Sequence, residues 1–213
     1  MVEISGNDKT SQASSFNRSD YRVAVPPSYL RELALWLDPL VGRTRIPIAC
    51  LGPPLLTLSR LGHARLSLTD LSVRGLGMMV KPGPEESALL LQAEACCIYF
   101  QLWDPSLDDP DQVLSVFTSC GLVNRSEADG FLLFGASFRR FAVGSRFEKA
   151  LEFLDARPAG VAALAPWCDN LVRGALPQGE RRHPGLDLDK LLTEIHTALV
   201  QDRSCLPDAE DIK

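Results

Sequence analysis

Apolar and polar positions alternate through the middle of the chain and recur at helical spacing towards its end, which predicts strands first and helices afterwards. "YRVAVP" alternates and predicts a short strand, ended by Pro26 and Pro27. In "SYLRELALWLDPL", Leu30, Leu33 and Leu37 fit a helical face while Leu33, Leu35 and Leu37 fit a strand. Ser28 as a helix start tips the reading towards a short helix. "HARLSLTDLSVRGLGMMV" predicts a strand, a kink near Gly75 and a second strand. Residues 88–103 predict one long or two short strands, and "QVLSVFTSCGLV" with "GFLLFGASFRRFAV" predicts a hairpin across "NRSEADG".

Five to seven antiparallel strands in series favour a barrel or sandwich over a βαβ fold. After Gly144 the period changes. Phe147, Leu151 and Leu154 stand at helical spacing behind Ser145, a candidate N-cap, and predict a helix capping the barrel. Leu188, Leu191, Leu192, Ile195 and Leu199 predict a second helix. The organisation is a polar tail over 1–15, a β domain over 16–155, and a helical extension over 156–213 whose last residues, "CLPDAEDIK", are again polar.

Charge sharpens this picture. The net charge of -5 conceals eight arginines against four acids between Arg18 and Arg74, with an acidic balance beyond. A local positive patch attracts a small anion, whereas the overall balance argues against a protein that tracks long nucleic acid. The N-terminus lacks a signal-peptide layout, and the longest apolar stretch, 88–103, is broken by Gln92, Glu94 and Gln101, so no membrane span and a cytoplasmic location are expected. Six cysteines form no C-x-x-C, and His63, His183 and His196 are scattered, so no metal site is expected and the thiols read as mostly buried. No nucleophile, base and orienter occur in a recognisable set, so the expectation is a binding protein without catalytic residues or cofactor.

Two short strings carry the candidate chemistry. "RSDYR" spaces Arg18 and Arg22 four apart on the arm entering the β domain. Extended, they stand roughly 13 Å apart, suited to two ends of a nucleotide-sized ligand, and their guanidinium forks match phosphate oxygens or the guanine edge. "DLSVRG" sets Asp70 and Ser72 on one face of a strand beside Gly75, offering a carboxylate acceptor and a hydroxyl next to a position open to close approach. Arg74 falls on the same face as Ser72 if the strand continues. Alone, the first string reads as a solvated charge pair and the second as a turn between strands.

In this order, R-x-x-x-R followed by D-x-S-x-x-G resembles the two-part signature of the PilZ domain, a bacterial receptor for cyclic di-GMP. "LLFGASF", with Gly135 and Phe138, is similar to the final barrel strand of that family. The resemblance covers residues 16–155 and implies a mainly β fold, a six-stranded antiparallel barrel followed by C-terminal helices. It implies that Arg18 and Arg22 contact guanine and phosphate, that Asp70 and Ser72 bond guanine, and that Gly75 keeps the turn open; apart from the resemblance, the strand position of Arg74 adds it as a further phosphate contact. A protein partner would receive the signal. The alternative is a scaffold of the same fold that binds no nucleotide and works through protein contacts. The long interval from Arg22 to Asp70 implies an insertion near 28–54, and residues 156–213 have no counterpart in the minimal domain.

Overall fold

The computed structural model describes residues 21–37, 43–58, 65–106, 112–143 and 150–176. The expected polar tail, Arg18, Phe147, the three histidines and the helix over 186–200 lie outside them. The strands are β1 (Val23–Ala24), β2 (Leu30–Leu37), β3 (Arg45–Pro47), β4 (Leu56–Thr57), β5 (Leu66–Ser72), β6 (Gly75–Val80), β7 (Ala95–Trp103), β8 (Val113–Ala128), β9 (Phe131–Val143) and β10 (Ala150–Asp155). Two helices accompany them, α1 (Pro84–Gln92) and α2 (Leu164–Val172).

All ten strands join one antiparallel sheet in the order β1-β5-β6-β9-β8-β7-β2-β4, with β10 pairing β9 and β3. Leu33 and Leu35 of β2, near one end, share a hydrophobic cluster with Leu66, Leu68 and Leu71 of β5, near the other, so the sheet curls into a half-barrel around its core. The mainly β class with helical additions is as expected. The count is ten strands rather than six: beyond β2 and β5 to β9, three strands have two or three residues each, and β10 replaces a helix.

Four elements differ from the sequence reading for physical reasons. Residues 30–37 form a strand preceded by a 3-10 turn at Pro27–Tyr29, not a helix. Leu33 and Leu35 enter the main core while Ala34 and Trp36 enter a second cluster on the opposite face, and burial on both faces erases the alternation. Residues 84–92 form a helix, so 88–92 are helical where the strand reading of 88–103 began; Pro84 starts it in the first turn with Glu85 and Glu86 beside it. Arg125 donates to the Leu91 and Ala93 carbonyls at its C-terminal end. Residues 150–155 form a strand rather than a barrel-capping helix, because the free edge of β9 offers backbone partners from Arg140 to Val143. Leu154, expected in the core, is 52% exposed. Residues 70–75 are a two-strand reversal rather than a kink, with Ser72 opposite Gly75 and Val73–Arg74 as its tip.

The β8–β9 hairpin is present, and its strands extend through most of "NRSEADG" to a two-residue turn at Asp129 and Gly130, both with positive φ.

α2 takes the capping role. Leu164 and Trp167 are fully buried, and the Trp167 indole N–H donates to the Trp103 carbonyl at 3.0 Å. Tyr29 packs edge-on to Trp167 and stacks on Trp103. A second cluster of Trp36, Ile46, Leu51, Phe117 and Phe153 covers part of the sheet's outer face. Cys96, Cys97, Cys120 and Cys168 are buried.

Two outcomes follow from this packing. Trp167→Ala removes a fully buried indole and is expected to lower unfolding free energy by about 3–5 kcal/mol, whereas Leu154→Ala costs under about 0.5 kcal/mol; urea titrations of both variants check the contrast. Burial, aided by the Asp169 charge, raises the Cys168 thiol from its ordinary 9.0 to about 11. Its neutral form is therefore favoured by folding, and that contribution, present below about pH 9, is lost as pH rises towards 11. Alkylation of Cys168 in the folded protein at pH 8 should be much slower than in urea, followed by mass spectrometry.

Candidate functional site

The β5–β6 reversal positions the candidate residues. Leu71 and Val23 face the core as a cross-strand pair, which turns Ala24 and Asp70, the next pair along, to the outer face. Arg22 precedes β1 on that same outer side, and its Nη1 meets Asp70 Oδ1 at 2.7 Å across 48 residues of sequence. The two halves of the sequence signature are thus in contact through Arg22 and Asp70. Their side chains remain 47% and 32% exposed. Asp70 Oδ2 accepts from the Thr69 hydroxyl at 3.0 Å, and the carboxylate lies across Gly77, where a Cβ would come within 2.1 Å of Oδ2.

Ser72 is 3% exposed, and its hydroxyl closes the turn rather than facing outward. Its Oγ donates to the Gly75 carbonyl and accepts from the Arg74 N–H, both at 3.2 Å. Gly75 is required by close approach, since a Cβ there would stand 2.4 Å from the Ala136 carbonyl oxygen of β9.

Arg74 does not continue a strand face beside Ser72, because the chain reverses there. Its guanidinium donates to the carbonyls of Arg157 at 3.2 Å and Pro158 at 3.4 Å. The backbone adds two bonds at the same tip, Val161 N–H to the Val73 carbonyl at 2.7 Å and Phe138 N–H to the Arg74 carbonyl at 2.8 Å. Arg157 in turn forks onto Asp155, with Nη2 at 2.7 Å from Oδ2, and this hydrogen bonding holds the Asp155 carboxyl at about 2, below the usual carboxylate range. The 156–161 segment that clamps the reversal was invisible in the sequence, where these residues read as the end of a helix.

Chemically, the arrangement presents one carboxylate and one guanidinium on an open face, backed by paired strands. The carboxylate can accept and the guanidinium can donate hydrogen bonds at that face. Among the described residues, no group of three or more His, Cys, Asp or Glu is placed to hold a metal, and no helix is long and apolar enough to cross a membrane.

No protein-family model matches the sequence, and no curated protein matches it. Among solved structures, the chain is similar to the PlzA protein of Borreliella burgdorferi, determined in complex with c-di-GMP, at 12% identity and a TM-score of 0.34. The match covers 82% of this chain and 60% of that one. Similarity at this level establishes neither a shared ligand nor a shared site.

An exposed ion pair contributes about 0–1 kcal/mol, because water screens both charges. A double-mutant cycle on Arg22→Ala and Asp70→Asn, read by chemical denaturation, is therefore expected to give a coupling below about 1 kcal/mol, with both variants folded. A coupling of several kcal/mol would mean the pair is a structural strut.

Proposed function

We propose that the protein is a cyclic di-GMP receptor, whose arginine arm and β5–β6 reversal form the nucleotide site. The observation that carries this reading is the 2.7 Å contact between Arg22 and Asp70, which unites the two signature strings on one open face. Asp70 accepts from the N1–H and N2–H donors of a guanine, while Arg22 turns its fork to O6 and N7 or to a phosphate. Arg18, four residues earlier, supplies the second guanidinium. Ser72 acts by fixing the turn, Gly75 keeps β6 against β9, and Arg74 supplies a phosphate contact on leaving the Arg157 and Pro158 carbonyls.

Magnitudes favour the exchange. Separating Arg22 from Asp70 costs about 0–1 kcal/mol, whereas each new hydrogen bond to a charged group contributes about 1.5–3 kcal/mol. The protein works without catalysis, in the cytoplasm, and passes the signal to a protein partner by ordering the arm and altering the surface around it.

The scaffold reading draws on a different observation: Arg22, Asp70, Ser72 and Arg74 all have partners within the protein. Calorimetric titration with cyclic di-GMP, beside GTP, separates the two. Micromolar or tighter binding that is selective and disappears in Arg18→Ala/Arg22→Ala, but survives Arg181→Ala, is the expected result. Absence of binding by the folded protein would replace the receptor with the scaffold.

A further inference from the structure

The open face continues beyond the signature strings. Ser72 pairs with Gly75, Gly75 with Ser137, and Ser137 with Gly121, so one cross-strand row runs over β5, β6, β9 and β8. Ser137 is exposed in that row. Arg139, two residues further along β9, is the extra residue where the β8–β9 register shifts; it is exposed and lies over Gly121, where a Cβ would stand 2.7 Å from its Nε and Nη2. Among the described residues, no hydrogen bond or ion pair engages this guanidinium.

The position of Arg139 relative to Arg22 is informative. Arg22 reaches Asp70 on β5 and Arg139 lies over β8, three strand spacings apart, a separation of roughly 14 Å. Between them the row and its neighbour carry Gly75, Gly77, Gly135 and Ser137, which leave the peptide surface low. Both guanidinium groups lie on the outer face of the curled sheet, one towards each end of the row. A separation of that size matches a ligand with two anionic or base ends better than a single nucleotide.

Resting on the receptor reading above, we propose that Arg139 is a ligand-binding residue of the site: it contacts the phosphate or base of the cyclic dinucleotide at the end remote from Arg22, with the Ser137 hydroxyl beside it. An exposed guanidinium that rests over Gly121 and, among the described residues, has no hydrogen-bond or ion-pair partner breaks no such contact on meeting an anion.

Calorimetry with cyclic di-GMP on the full chain tests this in four proteins: wild type, Arg22→Ala, Arg139→Ala and Arg139→Lys, with Arg173→Ala as a charge-matched control remote from the row. Arg139→Ala is expected to weaken binding about 10- to 100-fold with an unchanged melting temperature, Arg139→Lys to recover part of it, and Arg173→Ala to change it less than about 3-fold. Binding lost in Arg22→Ala but intact in Arg139→Ala would overturn this inference and leave the receptor standing. An equal loss in Arg173→Ala would overturn it by reducing the effect to net charge. No binding by wild type would overturn both.

Discussion

The two-residue reversal at Val73 and Arg74 is the constraint on which the rest of the structure depends. Three segments remote in sequence converge on it: β1 pairs alongside β5, Phe138 of β9 bonds the Arg74 carbonyl, and Val161 bonds the Val73 carbonyl. The approach of the last segment is close enough to require glycine at 160, where φ is +74° and a Cβ would stand 2.2 Å from the Val73 carbonyl oxygen. Because strand side chains alternate, a reversal fixed at this point fixes which face the residues of β6 and of β5 back to the bulge at Thr69 take. Leu71, Leu76 and Met78 go inward, and Asp70, with Gly77 beneath it, goes outward. The site and the core are therefore set by the same turn.

The clamp also connects the site to α2. The residues that hold the reversal, Arg157 to Val161, lead directly into Leu164 and Trp167, which close the core beneath Tyr29 and Trp103. Interiors packed at crystal-like density transmit displacement rather than absorbing it. Residues 156–176, the described part of the extension beyond the expected β domain, are thus a structural partner of the candidate site, joined to it by hydrogen bonds from Arg74 and Val161.

What was legible in the sequence follows from where burial is one-sided. β9 alternates from Phe131 to Phe138 and β5 from Leu66 to Thr69, and the hairpin read across "NRSEADG" is present. The resemblance related the strings that hold Arg22 and Asp70, but their direct contact was not foreseen. Legibility failed where tertiary pairing decided the outcome. Leu30–Leu37 is buried on both faces, Ala150–Asp155 was captured by the edge of β9 despite helical spacing, and Leu89 and Leu91 are exposed on a helix whose composition reads as a buried strand. Arg74 was misplaced for the same reason, since its direction depends on a turn held by residues more than eighty positions away.

The outer face shows what the fold gives up to keep a surface open. Over β2, β7 and β8, Trp36, Tyr99 and Phe117 draw in β3 and β10 as a cover. Over β6 and β9 the outward positions nearest the reversal are Gly75, Gly77, Gly135 and Ser137, with Met79 and Leu133 following farther along, so little beside the reversal invites a cover. Glycine inside a strand costs about 0.5–1 kcal/mol relative to alanine where alanine fits, and these positions contribute no packing in return. Gly75 and Gly77 are explained by close contacts with the Ala136 carbonyl and the Asp70 carboxylate. At Gly135 the neighbour is a Val123 methyl at 3.2 Å, a contact a small side-chain shift would relieve, so crowding explains this glycine less fully. A single buried tryptophan at position 167 outweighs the cost of several such glycines. The stabilisation is concentrated inside the curl and around the second cluster, which leaves the β6–β9 face free to be shaped by what lands on it rather than by what holds the protein together.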